Sequence, residues 1–335
     1  MPLNRSTIEG PVIGVVIIGR NEGERLHRCL TSVTGKGHEI VYVDSGSCDG
    51  SAAWAKKNGA SVVELDMTLP FTAARARNEG FARLHRLNSK IQLVQFIDGD
   101  CELIEGWFEV AATYLGRHEL CGVVAGRTIE RFPDQSIYNL LCDLEWRTPF
   151  GRVASCGGIF MVRKDLFEKA GGFNQKLIGG EEPELCYRLR KLKYEIHRLD
   201  YPMTYHDAAM TKFSQWWKRS VRGGFAYAQG YVLYGDGQDK YGFNDLQRIW
   251  FWGLIVPGAI LSLVIVLGPW LLLLLAVYPL QLARLTINVN KRFNHWHYSL
   301  IYSFFNILCK WPQLYGQIKF WTKKKFNKST TKNSI

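Results

Sequence analysis

No Cys-x-x-Cys pair occurs among the eight cysteines, Cys29, Cys48, Cys101, Cys121, Cys142, Cys156, Cys186 and Cys309. Their scatter excludes a zinc ribbon and a disulfide-stapled scaffold. No G-x-G-x-x-G follows the first apolar run, and no G-x-x-x-x-G-K-[ST] occurs anywhere. A dinucleotide-dependent dehydrogenase and a P-loop NTPase are therefore disfavoured. Zinc-finger, bZIP basic-region and RRM patterns are missing as well. The net charge of +12 thus lacks a nucleic-acid-reading module, and no nucleic-acid partner is expected. The stretch MPLNRSTIEG contains no apolar signal core, so the soluble part is expected to stay in the reducing cytoplasm.

What is present divides unevenly. Residues 1–235 read as an α/β catalytic domain, and residues 236–335 as a membrane-associated part with a helical hairpin, an interfacial helix and a basic tail. Val12 to Ile18 is a continuous β-branched run, as in a buried strand. Polar residues from Gly19 to Gly23 break it, and Leu26, Cys29, Leu30 and Val33 then recur at helical spacing. Short strands follow at Ile40 to Val43 and Ala60 to Leu65, with a helix over Thr72 to Arg86 that carries Arg75, Arg77 and Asn78. This strand, loop, helix rhythm predicts a mostly parallel sheet with helices on both faces. Ligands of such sheets lie beyond the carboxyl ends of the strands. The polar clusters at Arg20, Asp44 and Asp98 all fall at such ends.

The stretch Ile91 to Asp100, IQLVQFIDGD, ends a strand in two acids around one glycine. If the backbone stays extended, Asp98 and Asp100 point to the same side. Adjacent carboxylates repel, so a cation or a shared proton between them is expected. Oxygen ligands suit Mg²⁺ or Mn²⁺, and Mg²⁺ commonly bridges carboxylates and substrate phosphates. A plain turn uses the same residue types.

In order, VVIIGRNEG, VDSGSCDGS, AARARNEG, FIDGDC and GGEEPELCYRLR resemble the family 2 glycosyltransferases. The resemblance covers roughly Pro11 to Gly230 and implies the GT-A nucleotide-sugar fold. It implies a nucleoside-diphosphate sugar as donor, a UDP-sugar favoured, and Mg²⁺ or Mn²⁺ as cofactor. By resemblance Gly19, Arg20, Glu22 and Asp44 hold the base and ribose, and Arg77 approaches the base or diphosphate. Asp98 and Asp100 match the metal-binding pair, with Asp100 the direct ligand and His206 a possible third. Gly157 and Gly158 would let the backbone approach the sugar. The acidic pair supplies the catalytic base, Glu182 where the family usually has Asp, with Glu181 as its rival. Ser45 stands where a second Asp often lies. The Gln-x-x-Arg-Trp of processive synthases is absent around Trp216, which implies one sugar per encounter. Other roles suit some of these residues: an Arg20–Glu22 surface ion pair, Asp49 as a helix cap, and Arg188 and Arg190 on an outward helix face.

Ile249 to Leu267 and Trp270 to Leu285 form an apolar pair broken by Gly268-Pro269 and flanked by Arg248 and Arg284. Such flanks predict that both ends face the cytoplasm, with the hairpin spanning the membrane or dipping into it. His297 to Phe320 reads as interfacial helix, and Lys323 to Ser334 as a mobile basic tail. The expected activity is inverting sugar transfer at the cytoplasmic membrane, to a lipid-linked glycan or other surface polysaccharide precursor. Two other readings use the same acids: a catalytically silent nucleotide-sugar-binding membrane partner, and a metal-dependent nucleotidyltransferase.

Overall fold

A computed structural model describes residues 10–235, 237 and 240–332. The nine residues before Gly10, read above for their missing signal core, and residues 333–335 of the tail lie outside the described residues. In chain order the elements begin β1 (Ile13–Gly19), α1 (Glu24–Val33), β2 (Glu39–Asp44), α2 (Ser51–Lys57), β3 (Ser61–Glu64), α3 (Ala73–Leu87), β4 (Leu93–Asp98) and β5 (Cys101–Leu103). They continue α4 (Trp107–Arg117), β6 (Cys121–Glu130), α5 (Ile137–Trp146), β7 (Gly151–Val153), β8 (Phe160–Arg163), α6 (Lys164–Lys169), α7 (Glu181–Lys191) and β9 (Glu195–His206). Only helices follow: α8 (Phe213–Tyr234), α9 (Phe243–Trp250), α10 (Val256–Leu267), α11 (Val277–Phe293), α12 (Trp296–Leu308) and α13 (Lys310–Lys332).

The chain divides into two compact units. The first runs to Arg131 and takes in Thr148–Lys176 and Glu181–Ala208. Its described strands form one sheet in the order β3-β2-β1-β4-β8-β6-β9-β5, with β7 beside β9. Strands β3, β2, β1 and β4 are parallel, as their runs of Val and Ile predict. Beyond β4 the sheet is mixed: β8 pairs antiparallel with β4 and β6, and only β6 and β9 run parallel there. The parallel expectation therefore holds for the half of the sheet from β3 to β4. Helix α1 buries Leu26, Cys29, Leu30 and Val33, the set given by its spacing. Thr72 caps α3 by accepting a hydrogen bond from the Arg75 amide at 3.1 Å. Arg188, expected to face outward, instead clamps Glu184 and the carbonyls of Ala170 and Gly172.

The second unit comprises Phe132–Arg147, Leu177–Gly180 and the chain from Ala209. It includes α8, which the sequence division at residue 235 places with the catalytic part. The reason is close helix packing. A Cβ on Gly224 would lie 1.9 Å from the Gln313 carbonyl oxygen, and one on Gly316 would lie 2.0 Å from the Val221 carbonyl oxygen. Two glycines thus let α8 and α13 touch backbone to backbone. Gly224→Ala is expected to destabilise this unit by about 1–3 kcal/mol through overpacking, read as a lower Tm in detergent.

Among the described residues two stretches, Phe243–Leu267 and Pro269–Phe293, are long and apolar enough to cross a membrane. The first contains a π-helical turn at Phe251–Ile255. Pro257 lacks the N–H that would bond to the Gly253 carbonyl, which accounts for the widened turn. Ile265, Val266 and Leu273 are each 77% exposed, as lipid-facing side chains would be. The basic stretch from Lys323, expected to be a mobile tail, continues α13 as helix to Lys332.

Candidate active site

Strands β1, β2 and β4 end together. Gly19 lies opposite Asp44, and Ile18 opposite Asp98. The loops after β1 and β2 are laced to each other: the Asn21 amide donates to Ser47 Oγ at 2.9 Å, and the Cys48 amide to Asn21 Oδ1 at 2.8 Å. Asp49 accepts from the amides of Gly23 and Ser51, each at 3.0 Å, and so ties the loops together, but the N-cap of α2 is Gly50 rather than the expected Asp49. Buried Asp44 accepts from Tyr42 Oη at 3.0 Å and from the amides of Gly46 and Ser47 at 3.0 and 2.8 Å. Three of its roughly four acceptor positions thus hold its own loop, leaving about one for a ligand.

Arg20 is exposed. The ion pair foreseen for it forms elsewhere: Glu22 binds Arg25 at 2.6 Å. Glu22 lies over two glycines, its Cγ 3.0 Å from where a Cβ on Gly19 would be and 3.1 Å from one on Gly99. Burial, then the charge of Asp100, pushes its carboxyl up to about 7.

The two acids of FIDGD do not point the same way. Strand β4 ends at Asp98, and Gly99-Asp100 form a turn, so the alternation of an extended backbone stops between them. Asp98 turns to Arg77, whose Nη2 lies 2.7 Å from its Oδ1. The other Arg77 nitrogen, Nη1, binds Glu181 Oε1, also at 2.7 Å. This arginine is only 3% exposed and stacks over Phe173. A buried guanidinium between two carboxylates fixes both of them in place. Gly158 is part of that arrangement, since a Cβ there would lie 2.8 Å from Arg77 Nη2 and 3.3 Å from Asp98 Oδ2. Gly157 has a φ of +96°, which few other residues adopt.

Asp100 turns instead to His206, with 3.5 Å between Oδ2 and Nε2. The opposite ring nitrogen, Nδ1, lies 3.0 Å from Glu130 Oε2. Burial raises the Asp100 carboxyl, but the hydrogen bond and charge of His206 outweigh it and leave the pKa lowered. Burial lowers the His206 imidazole, and the two carboxylates outweigh that, raising it to about 9. A histidine with one nitrogen fixed by a carboxylate and the other aimed at an aspartate is the usual preparation for a metal ligand. Neighbouring Cys101 donates to Asp100 Oδ1 at 3.2 Å, and burial holds its thiol far above the ordinary range. Asp100, Cys101 and His206 bring one ligand atom each within 4.8 Å of one another, and the carboxylate and imidazole among them suit a divalent cation such as Mn²⁺. Asp98 is engaged by Arg77 rather than grouped with Asp100 and His206.

Glu182, beside Glu181 at the start of α7, faces another way. It is 4% exposed, and its Oε1 accepts from the Cys156 amide at 2.8 Å and from the Cys156 and Cys186 thiols at 3.3 and 2.9 Å. Burial raises its pKa, although the hydrogen bonds oppose the shift. Two consecutive glutamates therefore have different environments, one clamped by an arginine and one desolvated among thiols. The sequence reading did not single out Glu130, Asn21, Cys156 or Cys186 for these contacts. Glu130 ends β6 without a motif of its own, whereas Asn21 and Cys156 lie inside stretches already quoted.

Residues 14–171 match a family model described as Glycosyl transferase family 2, and residues 142–212 one described as the N-terminal domain of galactosyltransferase. The sequence is similar to glycosyltransferase AglE of Haloferax volcanii, 24% identical over 200 residues, which is 56% of this chain and 64% of that protein. It is also similar to a TPR repeat-containing protein of Synechococcus elongatus, 34% identical over 99 residues, 29% of this chain and 23% of that one. The chain thus spans less than two thirds of the length of either relative. The fold is similar to that of mannosyltransferase PcManGT from Pyrobaculum calidifontis in complex with GDP-Man and Mn²⁺. The TM-score is 0.58 at 17% identity, covering 90% of this chain and 88% of that one.

Proposed function

We propose, for a chain that belongs to glycosyl transferase family 2, that it moves one sugar from a nucleoside-diphosphate sugar to an acceptor hydroxyl with inversion. The observation that carries the reading is the convergence of Arg77, Asp98 and Glu181, tied by two 2.7 Å ion pairs, at strand ends of the sheet. A charge network built on one buried arginine suits preorganised binding of a charged donor. Gly19, Glu22 and the single open acceptor position of Asp44 form the base and ribose side, with Arg20 at its exposed edge. Gly157 and Gly158 leave space for the sugar ring beside Asp98.

Asp100 and His206 would hold Mn²⁺ or Mg²⁺, and Glu130 would orient the histidine. When bound, the cation stabilises negative charge on the departing diphosphate. Glu182 is assigned as the base, because its burial raises its proton affinity towards the working range. The acceptor oxygen attacks the anomeric carbon opposite the diphosphate. The new C–O bond forms as the bond to the β-phosphate oxygen breaks, its electron pair leaves with the nucleoside diphosphate, and the hydroxyl proton passes to Glu182. Glu181, locked to Arg77, holds the donor side in shape.

The donor assigned is a UDP-sugar. The Pyrobaculum neighbour holds GDP-Man, which makes GDP-mannose the competitor to screen against it. The Arg248 and Arg284 flanks support a catalytic unit on the cytoplasmic membrane face, and a lipid-linked glycan or polysaccharide precursor fits that location. Purified full-length protein with sugar nucleotides, Mn²⁺ and a membrane lipid extract is expected to release nucleoside diphosphate. Release of pyrophosphate would identify nucleotidyl transfer instead. Donor binding without turnover on any extract would favour the silent membrane partner.

A further inference from the structure

The second unit contains a cavity of about 970 Å³ that the chemistry above does not use. Four helices each send one cation to it: Arg222 from α8, Arg248 from α9, Arg284 from α11 and Lys310 from α13. Among the described residues none of the four makes an ion pair. A fifth cation, Arg219, is already matched by Glu145 at 2.7 Å. Among the described residues, Asp245 is the one other carboxylate on the wall. Four unmatched cations converging on one space repel each other, so the space favours an anion with more than one charge. Arginines supply paired donors that suit phosphate oxygens. Trp252, Leu285 and Phe305 add apolar wall.

The position along the helices identifies the source of that anion. Arg248 lies 20 residues before Gly268, the turn between the two apolar stretches, and Arg284 lies 16 residues after it. At helical rise this is about 24–30 Å, close to the thickness of a bilayer's hydrocarbon core, roughly 30 Å. If the hairpin's turn lies at one edge of the bilayer, the cations meet the headgroup layer at the other. Gly179 and Gly180 also line the cavity, and the next residues in the chain are Glu181 and Glu182.

We propose that this cavity binds the phosphate or diphosphate of a lipid-linked acceptor, its chain running along the exposed apolar helices. The inference rests on the sugar-transfer reading for what happens next, but the binding stands apart from it. The test uses the full-length protein in phosphatidylcholine nanodiscs, with geranylgeranyl diphosphate, geranylgeranyl phosphate, geranylgeraniol and inorganic pyrophosphate as probes. Either phosphorylated lipid is expected to bind at least about tenfold more tightly than the alcohol of the same chain. It should also bind more tightly than pyrophosphate. Arg222→Gln with Arg284→Gln should remove that preference, and the matching lysine pair should retain part of it. The Mn²⁺-dependent thermal shift with sugar nucleotide should persist in both pairs, which reports folding and the donor site separately. Equal binding of alcohol and phosphorylated lipid by the unaltered protein would overturn the proposal, with no variant needed. Equal binding of pyrophosphate would overturn its lipid part. Loss of the donor shift in the unaltered protein would instead count against the sugar-transfer reading.

Discussion

Glu182→Gln is expected to lower kcat by about 10²–10⁴-fold, the usual contribution of a positioned base, with little change in the KM for the donor. The amide keeps the size of the side chain and can still accept from the Cys156 amide, but it cannot take the acceptor's proton. The pH profile provides an independent readout. Burial raises the Glu182 pKa, so activity should climb as pH rises through that value, and this limb should vanish in the variant. Stability should move the opposite way. A carboxyl whose folded pKa exceeds its unfolded one contributes stability below the unfolded value, and loses it as pH rises through the folded value. The Tm of Glu182→Gln relative to the unaltered protein should therefore increase towards alkaline pH. Glu181→Gln breaks an ion pair of buried Arg77 and is expected to disturb donor binding, seen as a higher KM. A fully active Glu182→Gln beside a dead Glu181→Gln would move the base to Glu181.

The rim of the site was legible because β-branched runs that stop at polar residues mark strand ends without further information. That gave Gly19, Asp44 and Asp98. Arg77 was selected by resemblance, since helical spacing alone does not distinguish it from Arg75, which binds the carbonyls of Asp66 and Leu69 near the surface. The corner around Asp100 and His206 was less legible, because sheet register builds it. His206 pairs with Cys101 across β5 and β9, and with Glu130 across β6 and β9. Residues 105 and 76 positions apart are thereby brought beside one another, and no local pattern announces pairing over that range. The mixed half of the sheet escaped for the same reason, since a short apolar strand such as β8 has the same composition in either direction. The divergence of Asp98 and Asp100 depends on one turn at Gly99, which the extended-strand argument passed over.

Asp100→Ala is expected to remove Mn²⁺-dependent turnover, a loss of at least about 10³-fold if the cation supplies several kcal/mol of charge stabilisation. The same result should follow from EDTA treatment, with recovery on adding Mn²⁺. Graded variants then separate ligation from orientation. His206→Ala removes a nitrogen donor and should require more Mn²⁺ for half-maximal activity. Glu130→Gln leaves both donors but loosens the grip on the ring, and should weaken Mn²⁺ binding by about 10–100-fold, measured by titration calorimetry without sugar nucleotide. Asp98→Asn is the contrasting case. Because Asp98 is held by Arg77, its loss should raise the donor KM and leave the Mn²⁺ affinity of the free protein nearly unchanged. If Asp98→Asn weakens Mn²⁺ as much as Asp100→Ala does, both acids ligate the cation, and Arg77 must release Asp98 when it binds. If EDTA-treated protein turns over at the full rate, Asp100 and His206 are an ion pair supported by Glu130 and nothing more.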